Sequence, residues 1–158
     1  MESEKGLPFL QENHTGVAIS VTPTGRAQAT VVSTAVMNGK IAFASRSQAV
    51  KLKHIQRTGR ATVTVINLDT RRYVTVEGPA SIEPWQDTPV YIKRLKDLYV
   101  AMGRAPNGTD EEFARQMRDE ERSLVLVTPE RLYGDFPSLR GGPLTWVIRI
   151  CSALRLIG

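Results

Sequence analysis

The stretch RAQATVVSTAVMNGKIAFAS (residues 26–45) predicts two β-strands joined by a tight turn. Residues typical of β-strands fill both halves, and the dipeptide of Asn38 and Gly39 separates them. Asn-Gly readily adopts the two positive φ angles of a type I′ turn, so it is the strongest short-range signal for a β-hairpin. We therefore predict one long strand over Arg26–Met37, a hairpin turn, and a second strand over Lys40–Ser45.

Further β-rich runs lie on both sides of this hairpin, and a few segments have the apolar spacing of helices. Gly78 and Pro79 interrupt one of the runs and predict a bend or bulge, as at a barrel corner. Thr109 and Glu112 have the spacing of a capping box. The other predicted strands are Thr15–Val21, Ala61–Asn67, Tyr73–Ile82, Ser123–Thr128 and Arg131–Gly134, and the predicted helices are Ala49–Arg57, Pro89–Met102 and Asp110 to about Glu121. This pattern favours a mainly β fold, an antiparallel barrel or sandwich with attached helices.

Length and composition narrow the class of protein. A chain of 158 residues is expected to form one domain with a real core. The single cysteine, Cys151, excludes an internal disulfide and a cysteine-based metal site, and the two histidines lack metal-ligand spacing, so no metal is expected. The first residues, MESEKGLPFLQENH, lack the apolar core of a signal peptide, and no apolar run is long enough to span a membrane. We expect a cytoplasmic protein.

Positive charge is concentrated in the N-terminal half of the chain. The net charge is +5, and no acidic residue lies between Glu12 and Asp69. The basic residues in that interval are Arg26, Lys40, Arg46, Lys51, Lys53, Arg57 and Arg60. Such a surface attracts anions. It can be a solvated basic surface, a nucleic-acid site or a site for a phosphate-bearing cofactor, and the absence of interleaved aromatic residues argues against nucleic acid.

The basic segment has the local features of an anion site. Ser45, Arg46 and Ser47 follow a predicted strand and precede a predicted helix. Hydroxyl groups, backbone N–H groups and the positive end of a helix dipole would meet at this point. Lys51, in the first turn, can reach the same anion as a point charge. A phosphate-bearing cofactor is therefore the preferred interpretation.

The order of several short motifs resembles the split β-barrel flavoproteins similar to pyridoxamine 5′-phosphate oxidase. These motifs are TPTGRAQ, NGKIAFAS, IQRTGRATVTV, YVTVEGPASI and RLYG, and the resemblance covers about Leu7 to Gly134. The closest likeness is to the actinobacterial branch that uses the deazaflavin coenzyme F-420. It implies a six-stranded antiparallel split barrel of the FMN-binding type and a homodimer with cofactor sites at the interface. Residues 1–135 would form the cofactor-binding domain, followed by a C-terminal loop and short apolar tail over 136–158.

The resemblance also implies where the cofactor would bind. Lys51 matches the family's lysine, while Ala49 stands where the family has Arg or Ser, so Arg46 or Lys53 is expected to substitute. Two arginines before the fifth strand, Arg71 and Arg72, would suit the acidic glutamate tail of F-420. The implied cofactor-binding residues are Val31, Val32, Ser33, Thr34, Ser45, Arg46, Ser47, Lys51, Lys53 and Arg71.

The implied activity is hydride transfer between coenzyme F-420 and an unsaturated organic substrate. The alternatives are an FMN-dependent oxidase or reductase of the same fold, and a non-catalytic protein that binds a flavin or deazaflavin. In such enzymes the cofactor carries the chemistry, so no catalytic side chain is assigned; a proton can come from a tyrosine, a bound water or solvent. The apolar end of the chain, residues 146–158, is expected to form a helix that packs on the barrel; a membrane-surface helix or a poorly ordered end is the alternative.

Overall fold

The computed structural model describes residues 2–136 and 146–149, with side chains for residues 5–136. This part of the chain forms a mainly β, antiparallel fold with helices attached, as predicted. Its helices are α1 (Glu2–Glu12), α2 (Val50–Thr58), α3 (Pro89–Ala101) and α4 (Asp110–Glu120). Its strands are β1 (Thr15–Val21), β2 (Ala27–Ser33), β3 (Ala35–Met37), β4 (Lys40–Arg46), β5 (Arg60–Ile66), β6 (Tyr73–Glu83), β7 (Arg122–Val127), β8 (Arg131–Asp135) and β9 (Trp146–Arg149).

The strands follow the order β2-β1-β5-β6-β7-β4-β3, and β8 pairs with both β6 and β9. The two ends of this path, β2 and β3, are consecutive in the chain and are separated only by Thr34. Thr34 is fully buried, and its backbone N–H donates to the carbonyl oxygen of His14 at 2.7 Å. The single strand predicted over Arg26–Met37 is therefore broken at Thr34. If β2 and β3 are counted as one bent strand, the path is the expected six-stranded split barrel.

The predicted corner lies within β6. Residues Tyr73–Pro79 pair with β5, whereas Ala80–Glu83 pair with β7. The strand thus passes from one side of the barrel to the other immediately after Gly78 and Pro79. At this point the backbone of β6 lies so close to the β7–β8 connection that a Cβ atom on Gly78 would be 1.8 Å from the carbonyl oxygen of Thr128. A glycine is required here by close approach of two backbones.

The predicted local signals are present as well. Asn38 and Gly39 both have positive φ angles, 50° and 73°, and they connect β3 to β4 in a hairpin. Gly59 ends α2 with a φ of 65°, and its N–H donates to the carbonyl oxygen of Ile55. Thr109 and Glu112 form the capping box of α4. These outcomes confirm that short-range sequence chemistry fixes the turns and helix ends.

The core has two parts that share β4 and β7. Alternate residues of β4, including Ile41 and Phe43, point into the barrel, where they pack with the valines of β5 and β6. The intervening residue Ala42 packs on the other face, together with Leu95 of α3 and Met117 of α4. Because β4 and β7 are buried on both faces, α3 and α4 are held against the outside of the barrel. This packing brings the C-terminal end of α3 to the edge of the candidate functional site.

Two elements differ from the sequence-based expectation. Helix α1 was not predicted, since Gly6 and Pro8 interrupt the pattern, yet its Phe9 and Leu10 are buried in the core. The prediction of a helix in the apolar tail is wrong for Trp146–Arg149, which form β9 and pair with β8. Pairing with β9 satisfies the backbone groups along the free edge of β8, which explains why these residues form a strand. The remainder of the predicted tail lies outside the described residues. Within the described ranges, no helix has the length and apolar character that crossing a membrane requires.

Candidate functional site

A pocket of about 420 Å³ opens where β2, β4, the start of α2, the end of α3 and the start of β7 meet. Its lining residues are Val31, Val32, Ser33, Ala44, Ser45, Arg46, Ala49, Lys51, Tyr99, Met102, Arg104 and Arg122. Much of the set predicted from the sequence is therefore brought together: the β2 residues 31–33, the two residues at the end of β4, and the lysine in the first turn of α2.

Four residues of the predicted set lie outside this lining. Thr34 is buried at the junction of β2 and β3. The hydroxyl of Ser47 donates to the carbonyl oxygen of Glu121 at 2.6 Å and lies 2.8 Å from the hydroxyl of Ser123, so it ties the β4–α2 loop to β7. Lys53 is solvent-exposed on α2, and Arg71 is solvent-exposed in the β5–β6 loop with a φ of 60°.

Four cationic side chains line the pocket: Arg46, Lys51, Arg104 and Arg122. Arg46 and Arg122 are direct partners in the antiparallel pairing of β4 with β7, so their side chains lie next to each other on one face. Like charges in such positions repel each other. Arg122 forms an ion pair with Glu120, while the other three make no ion pair within residues 5–136. The pocket thus carries excess positive charge that an anionic ligand would neutralise.

The pKa of Lys51 reflects both its burial and the positive charge of the pocket. Partial burial lowers the pKa of Lys51 from its usual value, and the positive charge of Arg122 lowers it further. Both effects disfavour the ammonium form, and an anion bound between the two side chains would favour it. The electrostatics of the pocket therefore match an anion at this position.

The start of α2 adds a backbone contribution. Its N-cap residue, Ala49, has an extended conformation and offers no side-chain hydrogen bond, and the first turn contains no acidic residue. The first N–H groups of a helix lack intrahelical acceptors and carry the positive end of the helix dipole. Because Ala49 also lines the pocket, this helix end suits a phosphate.

An apolar wall completes the pocket on the side of β2 and α3. Val31 is 73% exposed, whereas Val32, which packs in the barrel core, and Met102 are largely buried. The ring of Tyr99 packs edge-on against Phe113, with ring centroids 5.5 Å apart. Burial raises the pKa of Tyr99, so its hydroxyl is protonated at neutral pH. A pocket with one apolar wall and one cationic end suits a flat organic ring that carries a charged arm.

Sequence reasoning missed the residues that come from distant parts of the chain. Arg122 becomes a site residue only through the pairing of β7 with β4, which places it beside Arg46. Tyr99 and Met102 become site residues only because α3 packs against the outside of the barrel. Arg104, in the loop after α3, has no local motif that could have identified it. The basic charge around Arg46 was the available signal, and it located one side of the pocket.

Fold and pocket together define a split-barrel protein with a cationic pocket. Residues 3–134 match the family described as pyridoxamine 5′-phosphate oxidase, and the chain belongs to this family. No curated protein matches the chain.

Solved structures share the fold at low sequence identity. A conserved hypothetical protein of Mycobacterium tuberculosis is 21% identical with a TM-score of 0.66, and the match covers 90% of this chain and 92% of that one. An F-420 reductase is 22% identical with a TM-score of 0.59, over 80% and 95% of the two chains. A pyridoxamine 5′-phosphate oxidase-related, FMN-binding protein of Nostoc punctiforme is 17% identical with a TM-score of 0.62, over 94% and 86%. At these identities the likeness establishes the fold alone.

Proposed function

We propose that the protein is an oxidoreductase that binds coenzyme F-420 in this pocket and uses it to reduce an unsaturated organic substrate, with FMN as the alternative cofactor. The observation that carries the proposal is the meeting of Arg46, Lys51 and Arg122 at the uncapped start of α2, beside an apolar wall. Phosphate and a flat ring system are the two chemical parts that such a pocket fits. The similarity in fold to an F-420 reductase and to an FMN-binding protein adds support.

The amount of positive charge favours F-420 over FMN. A single phosphate carries about −1.5 to −2 charges at neutral pH, and Arg46, Lys51 and the helix end suffice to bind it. Arg104 adds a further cation to the same pocket, and Arg122, although paired with Glu120, has N–H donors left for a ligand. The glutamate tail of F-420 would supply additional carboxylates. These two arginines take the place that the sequence suggested for Arg71, which lies outside the pocket.

The roles of the chain's own residues follow from their positions. Lys51 and Arg46 would bind the phosphate, and Val31, Val32 and Met102 would exclude water from one side of the ring. The cofactor, when bound, supplies the hydride chemistry. The hydroxyl of Tyr99, a lining residue of the pocket, is our candidate proton donor to the substrate.

We extend the proposal to a homodimer. The side chain of Val31, on β2 at one end of the strand path, is 73% exposed at the mouth of the pocket. An apolar side chain in this position is suited to being covered by a second copy of the chain. Sedimentation at micromolar concentration should give the mass of two chains, and a monomer mass would count against this part of the proposal.

The function is tested by titrating the purified protein with F-420 and with FMN and following the cofactor absorbance. We expect saturable binding of F-420, and weaker binding of FMN because it carries fewer negative charges. Reduced F-420 should then be oxidised in the presence of enones or quinones. Binding without turnover would support the non-catalytic alternative, and binding of neither cofactor would contradict the proposed function.

The Lys51 ammonium should make cofactor affinity fall at alkaline pH. The pKa of Lys51 lies below 10.5 because of burial and Arg122. As pH rises through this lowered pKa, the side chain loses its proton and its attraction for phosphate. Arginine remains charged over the same range, so Lys51→Arg should abolish the alkaline loss. Dissociation constants measured from pH 7 upward would test this; the same alkaline loss in both proteins would show that another group titrates.

A further inference from the structure

Glu120 contacts the cationic end of the pocket through Arg122. It is the last residue of α4, and its side chain is only 18% exposed. One carboxylate oxygen accepts a hydrogen bond from Nε of Arg122, and the other accepts one from Nε2 of Gln116 at 2.9 Å. Glu120 therefore holds one of the pocket's arginines, although it is not itself a lining residue.

The surroundings keep Glu120 ionised. Burial by itself would raise the pKa of this carboxyl, but the hydrogen bonds from Gln116 and Arg122 and the positive charges of Arg122 and Arg46 outweigh it, so the pKa is lowered. A negative charge thus remains next to a site that attracts anions. It also relieves the repulsion between Arg46 and Arg122, which are cross-strand partners.

We propose that Glu120 is an internal counter-anion that competes with the anionic group of the ligand for Arg122, and so sets how strongly the pocket discriminates between charged and neutral ligands. This inference rests on the proposed function in taking a phosphate-bearing cofactor as the ligand. A guanidinium has five N–H donors, so Arg122 can contact Glu120 and a ligand at once. Its single positive charge is then shared between them. Glu120 also repels the ligand's own anionic group, which weakens binding in proportion to the ligand's charge.

Replacing Glu120 with glutamine removes the charge and retains the shape and one of the two accepting oxygens. Because the pair is partly exposed, we expect Glu120→Gln to bind FMN roughly three- to fivefold more tightly than the wild type. Riboflavin, which lacks the phosphate, should bind equally to both proteins. The matched control is Asp119→Asn: Asp119 is the neighbouring residue of α4, is solvent-exposed, and makes no ion pair within the described residues. It removes the same charge without touching Arg122, so its effect should be smaller.

The decisive experiment is a binding titration of FMN, riboflavin and inorganic pyrophosphate to the wild type, Glu120→Gln, Asp119→Asn, Arg122→Gln and the Glu120→Gln/Arg122→Gln double variant, each checked for folding by circular dichroism. The gain from Glu120→Gln should fall to the Asp119→Asn level when Arg122 is absent. Equal gains from Glu120→Gln and Asp119→Asn, an unchanged gain in the Arg122→Gln background, or no gain would overturn the inference. Pyrophosphate separates the two hypotheses. If the wild type binds neither F-420 nor FMN, the proposed function fails, and the affinities of the variants for pyrophosphate still decide the role of Glu120.

Discussion

Replacing Gly78 with alanine should lower the free energy of unfolding by about 3 kcal/mol, at the upper end of the range for overpacking. The added Cβ would lie 1.8 Å from the carbonyl oxygen of Thr128 and 3.1 Å from the backbone nitrogen of Glu130. Both neighbours are backbone atoms, so no side chain can rotate away. One of the two segments must move, although β6 is paired to β5 before this point and to β7 after it. Equilibrium unfolding in urea measures the loss.

The matched control is Gly59→Ala at the end of α2. Gly59 has a φ of 65°, and a Cβ added there would have no atom within 4 Å. The substitution therefore costs only the left-handed backbone conformation, about 1–2 kcal/mol. If Gly78→Ala proves no more destabilising than Gly59→Ala, the close approach of the two backbones at the barrel corner is not the reason for a glycine at position 78.

Replacing Lys51 with alanine should weaken cofactor binding by roughly 10- to 150-fold. This range follows because a hydrogen bond to a charged group contributes about 1.5–3 kcal/mol, and each decade of affinity corresponds to about 1.4 kcal/mol. Lys51 lines the pocket, and Arg122 is near enough to lower its pKa. The fold should be retained, since Lys51 is partly exposed and does not belong to either core cluster. Titration with F-420 and FMN at one fixed, low salt concentration measures the change.

Lys53→Ala is the control for Lys51→Ala. Lys53 carries the same charge on the same helix, but it is solvent-exposed and lies outside the pocket lining. Removing the Lys53 side chain should alter affinity only through long-range electrostatic attraction, which salt screens. If Lys51→Ala binds both cofactors as tightly as the wild type, or if Lys53→Ala causes the same loss, the assignment of Lys51 to the phosphate is wrong.

The features that depend only on neighbouring residues could be predicted from the sequence. The hairpin at Asn38 and Gly39 and the αL end of α2 at Gly59 follow from backbone sterics within a few residues. The capping box of Thr109 and Glu112 is equally local. The corner at Gly78 was visible because a Gly-Pro pair interrupted a strand. The concentration of positive charge around Lys51 could be recognised because charged residues are counted directly from the sequence. These signals sufficed for the fold class and for one side of the pocket.

Which distant residues meet at the site depends on long-range packing and strand register. Arg122 joins Arg46 because β4 and β7 pair in a particular register, and that register is set by burial of both faces of these strands. Tyr99 reaches the pocket because α3 packs on the outer face of the barrel. Packing also gave Ser47, a sound phosphate ligand by local criteria, a structural role, since Glu121 and Ser123 bind its hydroxyl. Such contacts depend on shape and register across the whole core, and no short stretch of sequence encodes them.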